Sequence, residues 1–231
     1  MGNRLLKEVE EMKKLLCPSL MCADFSRLKE EVEELDRAGT DIFHIDFMDG
    51  SFVPNFGMGL QDFEMVRSST QKTVDVHLMI QDPSKHVKMF ATMGADIIYI
   101  HPEADQQASR TLDVIRGMGK KAGIAINPGT SVENILELLP LIDYVMVMTV
   151  NPGFAGQKYL EFVNPKIEKL VKLAEDFNFE ILVDGAISPE KIQQLNGIGV
   201  TGFVLGTSAL FGKKDRYDEI LNKLRNETVE A

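Results

Sequence analysis

Short apolar runs alternate along the chain with longer amphipathic stretches, and loops that contain glycine separate them. In residues 25–38, for example, Leu28, Val32 and Leu35 recur at the spacing of one helical face. Comparable stretches predict helices at residues 60–68, 83–93, 109–118, 132–139, 160–176, 189–195 and 217–224. The apolar runs predict eight strands, with the sequences LLCPSLM, IFHIDFM, VDVHLM, IIYIH, AGIAIN, YVMVMTV, EILVD and GFVLG.

This repeated alternation of strand and helix predicts a parallel sheet, and 231 residues suffice for one sheet that closes on itself. We therefore expect an α/β protein with a single (β/α)8 TIM-barrel catalytic domain over residues 15–231. A doubly wound open sheet is disfavoured, because no G-x-G-x-x-G follows the first strand. Residues 1–14 form a separate extension, predicted to be helical because apolar residues recur at helical spacing from Leu5 to Leu16. This extension either covers the lower end of the barrel or has no catalytic role.

The charge balance excludes several classes of partner. A formal net charge of −10 argues against general binding of nucleic acid or of an anionic membrane surface. An anionic small molecule remains compatible, since backbone N–H groups and helix N-termini bind phosphate without net positive charge. No apolar run is long enough to cross a membrane, and the first residues lack a signal-peptide core, so we expect a cytoplasmic protein. Cys17 and Cys22 are predicted to be buried free thiols in a reducing compartment.

Polar side chains stand at strand ends where apolar residues would be expected. They are His44 and Asp46 in the second strand, Asp75 and His77 in the third, His101 in the fourth and Asp184 in the seventh. In a (β/α)8 barrel the carboxyl ends of the strands carry the chemistry. A single histidine there is commonly structural, but four ionisable groups on one rim are costly to bury without a function. We predict a divalent metal site whose ligands are His44, Asp46, His77 and Asp184.

The roles of an aspartate and of three methionines near these strand ends are left open by the sequence. Asp75 shares a face with His77 but lies deeper, so it either supports a ligand histidine or makes a plain buried hydrogen bond. Met48, Met79 and Met148 follow the polar groups, and they either fill gaps in the core or form a dry lining against the substrate. The roles of His101 and Glu103 are not assigned.

Three loops predict a phosphate site. NPGFAGQ follows the sixth strand, DGAIS the seventh and GTSALF the eighth. Glycine allows the backbone to approach an anion closely and to converge its N–H groups on it. The loops after strands seven and eight form the phosphate site that recurs in this fold.

A resemblance to the ribulose-phosphate 3-epimerase family runs through six segments, CPSLMCADF, HIDFMDGSFVPNF, VDVHLM, VNPGFAGQ, VDGAI and GTSALF, in this order. It covers roughly residues 16–211, and HIDFMDGSFVPN together with NPGFAGQ is highly specific. The resemblance implies a barrel that interconverts the C3 epimers of a phosphorylated ketose and assembles as a homo-oligomer. It also implies one divalent metal ion, and zinc, manganese, iron and cobalt all suit such mixed ligands.

The positions that match the family imply roles for individual residues. His44, Asp46, His77 and Asp184 match the metal ligands, and Asp46 and Asp184 also match the paired acid and base. Ser19 and His77 match positions that contact the substrate. The residues that match the phosphate grip are Gly153, Phe154, Ala155, Gly156, Gly185, Ala186, Gly206 and Thr207.

The substrate is either a five-carbon or a six-carbon ketose phosphate. One subgroup of the family acts on allulose 6-phosphate, and SLMC, HPE, VMTVNPGFAGQ and GTSALF are more similar to that subgroup. In contrast, ADF and Asn151 match the enzymes that act on ribulose 5-phosphate. These features lean slightly toward the six-carbon sugar.

The expected reaction needs two carboxyl groups, because inversion at C3 removes a proton on one face and returns one on the other. Asp46 and Asp184 suit this task, since three strand steps round the barrel separate their strands. A decarboxylase of the Asp-x-Lys-x-x-Asp type is rejected because HIDFMDG contains no lysine. Two alternatives stay open: a Schiff-base aldolase that uses Lys158, and a phosphosugar-binding sensor without turnover.

Overall fold

The computed structural model of the protein describes residues 14–226, which include eight parallel strands in one sheet. The strands are β1 (Leu15–Pro18), β2 (Ile42–Met48), β3 (Thr73–Met79), β4 (Ile97–Ile100), β5 (Lys121–Ile126), β6 (Tyr144–Met148), β7 (Glu180–Asp184) and β8 (Gly202–Leu205). All eight predicted strands are confirmed. The predicted helical extension over residues 1–14 lies outside the described residues, apart from Lys14.

The sheet closes into a barrel. Each strand from β2 to β8 pairs in parallel with the next, and β8 pairs with β1. The ring closes between β1 and β2, where the Asp41 N–H donates to the Leu16 carbonyl at 3.1 Å and Ser19 forms a bridge to His44. Because all strands run in one direction, their carboxyl ends meet at one rim. The structure is therefore the (β/α)8 TIM barrel that the alternation predicts.

Helices pack on the outside of the barrel. They are α1 (Leu28–Arg37), α2 (Leu60–Ser69), α3 (Val87–Met93), α4 (Ala108–Gly117), α5 (Asn164–Phe177), α6 (Pro189–Asn196) and α7 (Tyr217–Asn226). After β5 the structure has a 3-10 helix at Val132–Leu141 where we expected an α-helix. Pro140 lies inside this segment, and proline lacks the N–H and crowds the preceding turn that an α-helix requires.

Two apolar layers hold the barrel together. The outer layer lies between the sheet and the helices and contains residues such as Phe43, Val76 and Ile124. The inner layer fills the barrel itself, with buried residues that include Tyr99 and Leu182. The barrel is therefore a packed core whose free space lies at the rim.

The two strands that carry most of the predicted site end where expected, at Met48 and Met79, but the polar residues do not lie at their ends. His44 and Asp46 are the third and fifth residues of the seven in β2, so they lie within the strand and not at its end. Asp75 and His77 occupy the same places in β3. The two strands continue because they stay paired as far as Met48 opposite Met79.

The interior packing makes one glycine sensitive to substitution. A Cβ atom on Gly123 would lie well inside van der Waals contact of the Tyr99 ring, which is fully buried and opposite it in the sheet. We expect Gly123→Ala to lower the free energy of unfolding by about 1–3 kcal/mol, the usual cost of overpacking a core. Denaturant unfolding followed by circular dichroism measures the change.

Gly117 supplies the matched control, because it ends α4 with no atom near the position of an added Cβ. We expect Gly117→Ala to leave stability unchanged or to raise it, since alanine favours the helix. Equal stability of the Gly123→Ala variant and the wild type would contradict the tight packing.

Candidate active site

Two imidazoles and two carboxylates meet at the mouth of the barrel. His44 Nε2 lies 3.2 Å from Asp46 Oδ1, and His77 Nδ1 lies 3.1 Å from the same oxygen. Asp184 Oδ2 is 3.7 Å from His77 Nδ1. One possible ligand atom from each of the four residues lies within 4.8 Å of the other three. The structure therefore brings together all four residues that the sequence suggests as ligands.

The pairing of the strands explains this arrangement. In the register of β2 and β3, Asp46 stands opposite His77 and His44 stands opposite Asp75. Residues two apart on a strand share a face, so these four side chains lie together on the inner side of the barrel. Asp184 ends β7, which is three strand steps from β2 through β1 and β8.

Each histidine of the cluster has a second polar neighbour at its rear ring nitrogen. His44 Nδ1 lies 2.6 Å from Asp75 Oδ1, although the angle is poor for a hydrogen bond. His77 Nε2 lies 2.9 Å from His101 Nε2. Asp75 and His101 are both fully buried. The sequence expectation that Asp75 lies beside one of the ligand histidines fits this geometry, but its partner is His44 and not His77.

Charge and burial shift the pKa values of the cluster in opposite directions. Burial disfavours the charged form of His44, but the carboxylates of Asp75 and Asp46 outweigh it and raise the pKa of His44 well above its usual range. Burial likewise opposes ionisation of Asp46, yet its contacts with His44 and His77 lower its pKa below the usual range. Burial and the negative charge of Asp46 raise the pKa of Asp184 to about 6.

The donor set of this cluster fits a divalent cation. Two imidazole nitrogens and two carboxylate oxygens are ligands that zinc and neighbouring transition metals accept. Asp46 and Asp184 would repel each other when both are ionised, and a cation between them removes that cost. Behind the ligand atoms, Asp75 and His101 occupy the places from which buried groups orient metal-binding histidines.

A cavity opens above the cluster, and its lining includes most of the predicted substrate-binding residues. Ser19 lies at its floor and donates from Oγ to Asp46 Oδ2 at 2.6 Å. Met48, Met79 and Met148 are buried along its wall. The predicted phosphate grip contributes Gly153, Phe154, Ala155, Gly156, Gly185, Ala186, Gly206 and Thr207. His77 is the exception, because it is fully buried and does not line the cavity.

The loop after β7 depends on an unusual backbone. Gly185 has φ of +119°, and a Cβ atom there would collide with the Val150 side chain. Ala186 follows with φ of +53°, in the left-handed region that non-glycine residues rarely adopt. Such strain is common where a backbone is arranged around a ligand.

Sequence reasoning did not single out several residues of the lining. They include Cys22, which follows β1, and Ser208, which follows the predicted phosphate grip after β8. Met21, just past β1, also lines the cavity, and the sequence groups it with the methionines at the strand ends. Burial and the nearby Asp46 charge raise the pKa of Cys22 to about 11, so its thiol stays protonated at neutral pH. Cys22 and Ser208 both lie within segments that carry the family resemblance, CPSLMCADF and GTSALF, and this was the available signal. Both cysteines are free, but only Cys17 is fully buried, whereas Cys22 is partly exposed.

Comparison with known proteins identifies the family. The family model described as "Ribulose-phosphate 3 epimerase family" matches residues 15–211. The chain belongs to the ribulose-phosphate 3-epimerase family. A ribulose-phosphate 3-epimerase of Synechocystis sp. is 43% identical over 216 residues, which cover 92% of this chain and 93% of that protein. The one from Bacillus subtilis is 40% identical over 204 residues, which cover 87% of this chain and 94% of that protein.

Membership of this family makes the protein an isomerase of the epimerase class.

Among solved structures, the 3-keto-L-gulonate-6-phosphate decarboxylase of Vibrio cholerae superposes on this protein with a TM-score of 0.70. The match covers 92% of this chain and 97% of the decarboxylase, but only 15% of the residues are identical, so this likeness concerns the fold alone. Within residues 14–226, every helix is too short or too polar to cross a membrane.

Binding of a divalent metal is expected to release protons from the site. The raised pKa of His44 favours its protonated form in the metal-free protein, whereas a histidine ligand must be neutral. The metal therefore competes with a proton, and its affinity should rise with pH by about tenfold per unit for each proton released. Competition of Zn²⁺ with a chromophoric chelator from pH 6.5 to 8, corrected for the chelator's own protonation, measures this slope.

Calorimetry in two buffers of different ionisation enthalpy provides an independent count of the protons released. An affinity that does not change with pH, together with equal heats in both buffers, would contradict the raised pKa of His44.

Proposed function

We propose that the protein is a metal-dependent 3-epimerase that interconverts ribulose 5-phosphate and xylulose 5-phosphate. Family membership supports the reaction class, and the names of the relatives support the five-carbon substrate. The observation that carries the proposal is the convergence of Asp46 and Asp184, from strands three steps apart, on one small cavity. Inversion at one carbon needs two such groups, one on each side of the carbon.

In this proposal, Asp46 and Asp184 exchange a proton with C3 of the ketose from opposite faces. One carboxylate removes the proton and the other carboxylic acid returns one, so the two groups leave each turnover with exchanged protonation states. The opposed pKa shifts support the pairing, because a lowered pKa for Asp46 and a raised pKa for Asp184 favour one ionised and one protonated group. Such a pair titrates as a unit.

The residues proposed to hold the metal are His44, Asp46, His77 and Asp184. When bound there, a divalent ion of zinc, manganese, iron or cobalt supplies Lewis-acid stabilisation of the negative charge that develops on the sugar oxygens. Ser19 holds the second carboxylate oxygen of Asp46 by its 2.6 Å hydrogen bond, which fixes the direction of that carboxylate.

The remaining lining residues are proposed to bind the rest of the substrate. The loops that contain Gly153, Gly185 and Gly206 present backbone N–H groups for the phosphate. Met48, Met79 and Met148 form an apolar wall beside the carboxylates, and this wall limits the access of water to the carbanionic sugar.

Two further proposals concern the location and assembly of the protein. The free thiols of Cys17 and Cys22 support a location in the reducing cytoplasm. We also propose that the protein forms a homo-oligomer, and light scattering measures its oligomeric state.

A six-carbon substrate, allulose 6-phosphate, remains the second candidate because of the sequence features SLMC, HPE and GTSALF. Proton NMR in D2O tests both candidates, with metal-reconstituted protein and equal amounts of ribulose 5-phosphate and allulose 6-phosphate. We expect deuterium to enter C3 of ribulose 5-phosphate faster, together with the appearance of xylulose 5-phosphate. Faster exchange into the six-carbon sugar would reverse the substrate assignment. Without exchange into either sugar, a phosphosugar-binding sensor becomes the better account.

Removal of either carboxylate charge should abolish most of the turnover. We expect Asp46→Asn and Asp184→Asn each to lower kcat by about 10²–10⁴-fold, the typical contribution of a positioned acid or base. Coupled-enzyme assays measure the rate, and elemental analysis measures bound metal in the same samples. The control is Asp113→Asn, on the exposed side of α4, which should keep wild-type turnover. Near-full turnover by either active-site variant with metal bound would rule out the two-base mechanism.

A further inference from the structure

The rear side of His77 carries a line of polar groups that the proposed reaction does not use. His77 faces Asp46 with Nδ1, and its other ring nitrogen, Nε2, lies 2.9 Å from His101 Nε2. The two rings stack, with their centroids 5.0 Å apart. On its far side, His101 Nδ1 lies 3.5 Å from Glu103 Oε2. These three residues lead away from the candidate metal site toward the surface, where the Glu103 side chain is 23% exposed.

Glu103 is itself held in place by the loop after β5. The Asn127 N–H donates to Glu103 Oε1 at 2.9 Å, and the Thr130 hydroxyl donates to the same oxygen. This leaves Oε2 on the side of His101. Phe52, from the loop after β2, packs against the His101 ring, and the two ring centroids are 4.7 Å apart. His101 therefore has His77, Glu103 and Phe52 as neighbours, with the Glu103 carboxylate as the charged group that faces its Nδ1.

The chemistry of these contacts selects one arrangement of protons. Two imidazole nitrogens 2.9 Å apart need one proton between them, because two lone pairs or two N–H groups would repel. When Nδ1 of His77 binds a cation with its lone pair, its proton must be on Nε2, and this N–H then donates to His101 Nε2. The remaining proton of a neutral His101 lies on Nδ1, which faces the Glu103 carboxylate. A lone pair at Nδ1 would face that negative charge instead.

We propose that His101 and Glu103 are positioning residues that hold His77 in the tautomer and orientation required to bind the divalent metal through Nδ1. This inference rests on the proposed function, since it assumes that His77 is a ligand. Groups behind a ligand histidine orient its ring and raise its basicity, and their loss typically lowers metal affinity by about 10- to 100-fold. His44 has a different backing, the carboxylate of Asp75, and so does not depend on His101.

The test compares two replacements of similar length at position 101. Gln carries an amide oxygen that accepts a hydrogen bond from His77 Nε2–H, whereas Met has only a weakly accepting sulfur. We expect His101→Met to lower the affinity for Zn²⁺ by about 10- to 100-fold and His101→Gln to recover most of that loss. Glu103→Gln should cause a smaller loss of about tenfold, at the lower end of that range. Because Glu103 is partly exposed, this variant keeps the test informative if the position-101 variants fail to fold.

The control is Tyr99→Phe. Tyr99 stands opposite His77 in the β3–β4 register and is fully buried, but its hydroxyl has no hydrogen-bond partner among residues 14–226. We expect this variant to bind Zn²⁺ as the wild type does. All affinities are measured by chelator competition at fixed pH, with the purified full chain and without substrate, so the readout does not depend on turnover.

Long-range ¹H–¹⁵N NMR spectra of the zinc-bound protein supply a second readout, because they distinguish the two neutral histidine tautomers. We expect a proton on Nε2 of His77 and on Nδ1 of His101. Wild-type affinity in both His101→Met and Glu103→Gln, or a proton on Nε2 of His101, would overturn the role of these residues while leaving the proposed function intact. If the wild-type protein itself binds no zinc at this cluster, the metal site of the proposed function fails, and this inference fails with it.

Discussion

The arrangement of the barrel mouth depends on one electrostatic constraint, the placement of Asp46 beside Asp184 in a largely buried site. Two carboxylates this close repel each other, and burial raises the cost of each charge. The contacts of Asp46 offset that cost, since His44, His77 and Ser19 all direct polar atoms at its two oxygens. Asp184 Oδ2, in contrast, lies 3.7 Å from His77 Nδ1, beyond hydrogen-bond distance, and burial and the Asp46 charge raise the pKa of Asp184 to about 6. The asymmetry separates an ionised carboxylate from one that readily carries a proton, which is what a transfer between two faces of a carbon needs.

The barrel supplies the rigidity that this constraint demands. Both histidines and Asp46 lie inside paired strands, and the packed interior lies directly behind them. β3 pairs with both β2 and β4, and β2 pairs with β3 and is bridged to the chain after β1 through His44 and Ser19. A misplacement of about 1 Å at such a site is costly to catalysis, so side chains on strands suit it better than side chains on loops. The phosphate, in contrast, is bound through backbone N–H groups in the proposal. It therefore suits the glycine loops after β6, β7 and β8, where close approach matters more than side-chain geometry.

The sequence predicts the barrel and the four clustered residues because both follow from periodicity. The spacing of two residues puts His44 and Asp46 on the same face of their strand. The alternation of strand and helix makes all strands parallel, so that these residues and Asp184 lie at the same end of the barrel. The sequence does not predict which ring nitrogen of each histidine faces the cluster, nor that His101 meets His77. Those facts depend on the register between neighbouring strands and on side-chain rotamers, and neither is encoded in one strand's own pattern. The 3-10 helix at Val132–Leu141 differs for a local reason, since Pro140 competes with an otherwise helical pattern.

The same barrel is found in a decarboxylase with 15% identity, so the fold alone does not determine the chemistry. The charge balance of the site is more informative. Asp46, Asp184 and the buried Asp75 carry three negative charges when all are ionised, and a divalent cation offsets two of them. In the proposed reaction, either Asp46 or Asp184 holds a proton at each stage, which lowers the negative charge of the site further. Such a site, in the proposed mechanism, holds one transferable proton that Asp46 and Asp184 exchange. In this mechanism, the proton passes between two carboxyl groups that are held on strands of the same rigid barrel, so its transfer does not require the barrel to rearrange.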